Sequence, residues 1–278
     1  MISPRRNTAR IQVDRFTGDA SRSLKDAVAV EEPLEIRLAI RGDEHRVAVT
    51  MRTPGEDFEL AAGFLFSEGL VRDRADVVDL RYCTNVDPQE YNVVTVQLRD
   101  GARFDPADLS RNFYTTSSCG VCGKASLEAI EIQGCTRLDL GGSTVSSDVI
   151  RGLPDALRGE QRVFERTGGL HAAGLSDAGG EIRVLREDVG RHNAVDKVVG
   201  ERFLAGALPL DPTILTVSGR TSFEIMQKAL TAGIATVVAV GAPSSLAVDV
   251  AREFGMTLVG FAKPDGFNVY AGGERVAP

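Results

Sequence analysis

The stretch from Thr213 to Phe261 reads TILTVSGRTSFEIMQKALTAGIATVVAVGAPSSLAVDVAREFGMTLVGF, and it decides the fold of the second half of the chain. Short β-branched runs alternate in it with segments whose apolar residues recur at helical spacing, which predicts strands and helices in turn. Upstream, the pattern predicts a helix at 148–164, a hairpin of strands at 170–175 and 181–185, and a helix at 193–203. The order αββαβαβαβ is typical of a three-layer α/β domain with a mixed sheet.

The first hundred residues follow a different pattern. Residues 33–51 alternate in hydrophobicity around a glycine turn, which predicts a β-hairpin. Thr53 is placed to cap a helix whose apolar face includes Phe58 and Phe66, and two further strands are predicted at 76–82 and 92–98. The result is a ββαββ unit of α+β type.

These patterns predict four segments along the chain. They are a flexible N-terminal tail at 1–23, an N-terminal α+β domain at 24–110, a loop or linker at 111–124, and the α/β domain at 125–278.

Composition narrows the functional classes. The 278 residues carry a net charge of −7, which argues against a nucleic-acid-binding or anionic-membrane surface and requires any anion to be held by a local cluster. No signal peptide or apolar run of membrane-spanning length is seen. Four cysteines in a chain of this size do not form a disulfide framework, so a reducing cytoplasm is expected.

The predicted linker contains a pair of cysteines, Cys119 and Cys122, flanked by glycines and followed by Lys124 and a helical pattern. A nearby cation and a helix start both favour the thiolate form. Four interpretations are open: half of a zinc site completed by Cys83 and Cys135, a thioredoxin-like redox centre, an inert pair, or a nucleophile that carries a group such as a persulfide. The last is favoured, because the zinc spacing is unusual and no strand precedes the pair.

Four polar turns follow the strands of the α/β domain. They span residues 186–197, 218–224, 241–245 and 261–268. Ligands of open α/β sheets collect at the carboxyl ends of strands, so together these turns predict a large polar ligand with phosphates. Two simpler interpretations stay open: the first turn is merely a charged helix start, and His171 on its strand is structural.

Several long motifs resemble one known family. They are Ser118-Cys-Gly-Val-Cys-Gly123, Thr167-Gly-Gly-Leu-His-Ala-Ala173, Glu187-Asp-Val-Gly-Arg-His-Asn-Ala-Val-Asp-Lys197, Ser218-Gly-Arg-Thr-Ser-Phe-Glu224 and Gln227-Lys-Ala229. Together they resemble the FdhD/NarQ family, the sulfur carriers that serve formate dehydrogenase. The resemblance runs from about Pro33 to Tyr270.

The resemblance implies a sulfurtransferase with two site cysteines. Cys119 matches the position that takes persulfide sulfur from a cysteine desulfurase, and Cys122 matches its partner. The sulfur is delivered to the molybdenum of bis-molybdopterin guanine dinucleotide, and formate dehydrogenase is the client. Members are cytoplasmic homodimers with a cytidine deaminase-like C-terminal domain.

The candidate cofactor-binding residues come from this resemblance and from the polar turns. Arg191, Arg220 and Lys263 are the cations expected to meet pyrophosphate. The full set is His171, Arg191, His192, Ser218, Gly219, Arg220, Phe261, Ala262, Lys263, Pro264, Asp265 and Gly266.

Two alternatives are weighed against a sulfurtransferase. One is a non-catalytic chaperone that shelters the molybdenum cofactor while the cysteine pair stays idle. The other is a zinc-dependent deaminase, which is disfavoured because the turn at 218–222 lacks cysteines and no glutamate lies two residues after His192. No structural metal is therefore expected.

Overall fold

The computed structural model describes residues 5–84, 89–104, 138, 144–210 and 213–278. The cysteine pair at 119 and 122, and the helix predicted directly after it, lie outside the described residues. Within the described ranges, no helix is both long and apolar enough to cross a membrane.

The N-terminus begins with a hairpin. Strand β1 (Thr8–Thr17) pairs antiparallel with β2 (Ala20–Ala29) along its whole length. The predicted flexible tail at 1–23 is therefore wrong for residues 8–23. Most of the hairpin's side chains are exposed or half-buried, so the sequence lacks the clean alternation that marks a strand with one buried face.

The predicted ββαββ unit is confirmed. Its elements are β3 (Glu32–Ile40), β4 (Asp43–Arg52), α1 (Asp57–Ser67), β5 (Val77–Tyr82) and β6 (Val93–Leu98). The sheet order is β4-β3-β6-β5, with β3 and β6 parallel and the other pairs antiparallel.

Helix α1 starts later than the sequence predicts. Its N-cap is Glu56, in a left-handed conformation (φ 53°), and the side chain of this residue makes no capping hydrogen bond. Thr53, the predicted cap, instead donates its backbone N–H to the Asp188 carboxylate at 3.1 Å. A long-range contact thus overrides the local capping signal.

The second half of the chain follows the predicted alternation. Its elements are β7 (Val145–Ser146), α2 (Ser147–Glu160), α3 (Arg162–Thr167), β8 (His171–Ser176), β9 (Ile182–Asp188), α4 (Arg191–Leu204), β10 (Ile214–Val217), α5 (Phe223–Thr231), β11 (Thr236–Ala239), α6 (Ser245–Glu253), β12 (Thr257–Lys263), β13 (Gly266–Ala271) and β14 (Val276–Ala277). The single helix predicted at 148–164 is in fact two helices, which break at Gln161 (ψ 73°).

The predicted mixed sheet and its three layers are present. The strand order is β13-β12-β11-β10-β8-β9, with β10, β11 and β12 parallel and the remaining pairs antiparallel. Leu215 and Val217 pack in the core with α4, α5 and α6, whereas Ile214 packs with Ile150 and Leu153 of α2. Alternate strand residues thus bury opposite faces of one sheet.

Helices α1 and α4 cross with their backbones in contact. A Cβ added to Gly63 would lie 1.9 Å from the carbonyl oxygen of Asp196, and one added to Gly200 would lie 1.9 Å from that of Glu59. The same hydrophobic cluster continues from α1 into α4. The N-terminal unit and the α/β domain therefore share a core.

Gly200→Ala should destabilise the protein by more than about 2 kcal/mol, because the added methyl overlaps backbone and forces the helices apart. Gly152→Ala is the matched control: this α2 glycine has no atom within 4 Å of its Cβ position. The control should leave stability unchanged or raise it by about 0.5–1 kcal/mol. Urea unfolding of both variants checks this, and equal stabilities would contradict the crossing geometry.

Candidate functional site

The carboxyl ends of β9, β10, β11 and β12 lie at one edge of the sheet, here called the carboxyl edge. Because β8 runs antiparallel to β10, its first residue, His171, lies at this edge too. Ala172 N–H donates to Ser218 Oγ at 2.9 Å, and Ser218 N–H donates to the Ala172 carbonyl at 3.0 Å. A Cβ at Gly219 would lie 3.2 Å from His171 Nδ1. The structure thus brings three of the candidate residues together.

His192, in the first turn of α4, meets the turn before α5. Its Nε2 lies 3.0 Å from Ser222 Oγ and 3.8 Å from a carboxylate oxygen of Glu224. Burial, reinforced by the Arg191 guanidinium, lowers the pKa of His192 to about 4. Burial and then Arg191 also lower the pKa of His171, against the opposing Asp188 carboxylate. Both imidazoles are therefore neutral near pH 7.

Three candidate cations lie at the carboxyl edge, and they differ in their partners. The Nε of Arg191 is buried and has no hydrogen-bond partner in the described part of the chain. Arg220 is exposed and forms no ion pair with a described residue. Lys263 Nζ lies 3.2 Å from the Asp265 carboxylate, and both side chains are exposed. The two arginines are thus the groups most available to an anion.

The last residues of β12 and the turn after it lie in different environments. Phe261 has φ 54° and is 46% exposed, and its N–H donates to the Gly241 carbonyl at 3.1 Å. Ala262 turns its side chain into the core beside α2, so that side chain is not available to a ligand. Pro264 and Asp265 are exposed in the turn, and Gly266 begins β13.

Close backbone contacts tie the turns of the carboxyl edge to one another. Gly241 N–H donates to the Gly219 carbonyl at 3.0 Å, and a Cβ at Gly241 would lie 2.9 Å from that oxygen. Thr221 N–H donates to the Ala242 carbonyl at 3.2 Å, and Ser244 N–H donates to that of Thr221 at 2.9 Å. The turns therefore form one continuous surface of polar groups.

The stretch 186–197 is predicted to bind an anion, but some of its residues lie at the carboxyl edge and others are buried. Arg191 and His192 lie at the carboxyl edge, but Asp188 and Lys197 are buried and pair at 2.8 Å. Asp196 is also buried, and it accepts hydrogen bonds from Lys228 at 2.7 and 3.0 Å. The buried residues are therefore engaged within the protein, whereas the binding role of Arg191 and His192 stays a prediction.

This buried network joins α4 to the N-terminal unit. Lys197 Nζ donates to the Thr53 carbonyl at 3.0 Å, Ser67 Oγ donates to Asp196 at 3.1 Å, and Asn193 Nδ2 donates to the Met51 carbonyl at 2.7 Å. Sequence reasoning missed these contacts. A signal existed, because positions 193, 196, 197 and 200 fall on one helix face at spacings of three and four.

Residues 30–277 match the model of the FdhD/NarQ family. The chain belongs to the FdhD/NarQ family. It is 51% identical over 276 residues to "Sulfur carrier protein FdhD" of Streptomyces coelicolor, covering 98% of this chain and 96% of the relative. It is 49% identical over 277 residues to the protein of the same name from Mycobacterium tuberculosis, covering 97% and 98%.

The fold also has a solved counterpart. A crystal structure of a protein assigned as a formate dehydrogenase accessory protein, from Desulfotalea psychrophila, superposes with a TM-score of 0.75. The superposition covers 98% of this chain and 100% of the solved chain, at 23% sequence identity. The two proteins therefore share their fold over both the ββαββ unit and the α/β domain.

Within the described ranges, no three His, Cys, Asp or Glu side chains cluster so as to hold a metal ion. The described cysteine, Cys83, is half-buried and not disulfide-bonded. Cys119 and Cys122 lie outside the described residues, so their assignment stays a prediction.

The low pKa of His192 has a measurable consequence. Its Hε1 resonance should titrate with a midpoint of about 4, and Arg191→Gln should raise that midpoint because it removes a nearby positive charge. Arg252→Gln, at the far end of α6, should leave it unchanged. A wild-type midpoint near the ordinary value of about 6.5 would contradict the buried placement.

The same shift predicts the direction of the stability change with pH. Between about pH 6.5 and 4, the unfolded chain binds a proton at His192 that the folded chain does not. This contribution to stability is present above that window and is lost as the pH falls through it.

Proposed function

We propose that this chain is a cytoplasmic sulfur carrier that receives a persulfide on Cys119 and passes the sulfur to the molybdenum cofactor of formate dehydrogenase. The observation that carries the proposal is family membership, at about half identity over nearly the whole chain, with relatives named as sulfur carriers. The Cys119-Gly-Val-Cys122 sequence supplies the nucleophile that such a role needs.

The acceptance step is a thiol exchange. The Cys119 thiolate attacks the terminal sulfur of a persulfide on a cysteine desulfurase. A new S–S bond forms to Cys119, the donor's S–S bond breaks, and the donor cysteine leaves as a thiolate. The step involves no net oxidation or reduction, so it requires no further reactant. Cys122 is assigned as the partner thiol of Cys119.

The proposed recipient is bis-molybdopterin guanine dinucleotide, bound as a substrate at the carboxyl edge. Its pyrophosphates require cations, and Arg191 and Arg220 offer guanidinium groups with no ion pair to a described carboxylate. The start of α4 adds backbone donors, because its Gly190 N-cap has no side-chain cap. The neutral His171 and His192 add further hydrogen-bonding groups at the same edge.

The shape of the edge also suits a nucleotide. Gly219 leaves room beside His171 that a side chain would fill, and the exposed Phe261 ring offers a stacking surface. A cytidine deaminase-like arrangement of the α/β domain would place a nucleotide at this edge. In a two-fold homodimer, two equivalent pockets would match the two guanosine halves of the ligand.

The alternative is a cofactor-binding chaperone with an idle cysteine pair. It shares the carboxyl-edge site with the first proposal and differs only at Cys119 and Cys122. The two proposals therefore separate on persulfide formation and not on ligand binding.

Incubation with a cysteine desulfurase and cysteine should add 32 Da to the protein in an intact-mass measurement (one sulfur atom). Cys119→Ala should abolish the adduct, and Cys83→Ala should retain it because Cys83 lies outside the motif. The Cys122→Ala variant then shows whether the second thiol is needed for acceptance. An unmodified wild-type protein would favour the chaperone.

Arg220→Ala should weaken binding of GDP, a fragment of the proposed ligand, by about tenfold or more through loss of a charged hydrogen-bond donor. Arg252→Ala is the matched control, since Arg252 lies in the last turn of α6, away from the carboxyl edge. Calorimetric titration compares the two variants. Equal affinities would show that the pocket lies elsewhere.

A further inference from the structure

A cavity of about 490 Å³ lies between the turn before α1, the α2–α3 junction and strand β9. None of the candidate residues of the carboxyl edge lines it. Its apolar wall consists of Pro54, Val163, Leu170, Ile182 and Leu185. The sulfur-carrier proposal assigns no role to this cavity.

Several charged side chains around the cavity are already engaged. Arg186 forms two hydrogen bonds to the Glu59 carboxylate, at 2.5 and 2.9 Å. The Glu187 carboxylate accepts from the backbone N–H groups of Val163 and Phe164 at 2.8 and 2.7 Å. Their hydrogen-bonding atoms are engaged within the protein, so these residues form the wall and not the binding groups.

Glu56 is different. Its side chain lines the cavity but neither caps α1 nor pairs with a described residue, although its backbone adopts the left-handed conformation that disfavours a side chain. Burial raises the pKa of this carboxyl group, against the opposing charges of Lys197 and Arg186. Lys197 already forms an ion pair with Asp188, and Arg186 already forms one with Glu59. Glu56 is thus a half-buried acid without a counter-ion of its own among the described residues.

Thr53 lies in the same wall, but the residue is only 2% exposed and its Oγ1 is buried, so its hydroxyl is not open to a ligand in the cavity. Arg162 also lines the cavity, and it is exposed without a described ion-pair partner.

We propose that this cavity binds a primary ammonium group on an aliphatic body, with Glu56 as its counter-ion. The ammonium provides the positive charge that Glu56 lacks, and the aliphatic body lies against the apolar wall. Arg162 receives a carboxylate where the ligand has one. An aliphatic amino acid and the amino terminus of a peptide share this chemistry.

The cavity is connected to the carboxyl edge through Thr53. Thr53 N–H donates to Asp188 Oδ2 at 3.1 Å, and Gly190 N–H donates to Asp188 Oδ1 at 2.8 Å. Gly190 precedes Arg191 and His192 at the start of α4. The cavity wall at Thr53 therefore lies two hydrogen bonds from the helix start that carries the candidate site.

The test is a methyl NMR titration of the full chain with four probes: 3-methylbutylamine, its carboxylate counterpart 3-methylbutanoate, L-leucine and leucylglycine. The amine should shift the methyl signals of Thr53, Ile182 and Leu185 at lower concentration than 3-methylbutanoate does, because the exposed Arg162 alone holds a carboxylate only weakly. Binding of L-leucine but not leucylglycine identifies a free amino acid as the ligand, and the reverse identifies a peptide terminus. None of the four probes needs Cys119, so the outcome is independent of sulfur transfer.

Two variants make the result decisive. Glu56→Gln should weaken amine binding at least tenfold, because it removes the negative charge that pairs with the ammonium group. Glu165→Gln, an exposed acid on neighbouring α3 outside the cavity lining, should bind as the wild type does. The proposal is overturned if the amine shifts no cavity methyl, if the carboxylate probe binds equally, or if Glu56→Gln retains full affinity.

Discussion

The structure depends on the backbone contact between α1 and α4 at Gly63 and Gly200. The space available at each position excludes even a methyl group, so the two helices can approach this closely only as glycine-to-glycine neighbours. This crossing fixes the rotation of α4 about its axis. It turns Asn193, Asp196 and Lys197 toward the N-terminal unit and leaves Arg191 and His192 at the carboxyl edge.

The buried charges contribute more to selecting one packing of α4 than to the free energy of unfolding. Taking a pair such as Asp188 and Lys197 out of water costs several kcal/mol per ion, and the mutual attraction repays this only where further hydrogen bonds exist. Here Asp188 also accepts from Thr53, Gly190 and Asn193, and Lys197 also donates to the Thr53 carbonyl. A shifted packing of α4 would leave these groups unpaired in the core, so the network selects one register.

The sequence predicts the elements better than it predicts their partners. Strands and helices of the α/β domain follow from hydrophobic spacing, because their faces are buried on a regular period. Hydrophobic spacing does not predict the hairpin at 8–29, since most of its side chains are exposed or half-buried. The local capping signal does not predict the start of α1, because the Thr53 N–H is hydrogen-bonded to Asp188, 135 positions away. Residue type alone likewise cannot separate Arg191, at the edge, from Lys197, in the core; the helix face decides.

The α/β domain depends on the ββαββ unit for the packing of α4. Without the ββαββ unit, Lys197 would lose the Thr53 carbonyl, Asp196 would lose Ser67, and the glycine face of α4 would be exposed. The start of α4 would then lose the contacts that hold Asp188 in place beneath Gly190. The family match from residue 30 to residue 277 spans both parts, as this dependence requires. The N-terminal unit is therefore part of the candidate site's support, although none of its residues was predicted to touch the ligand.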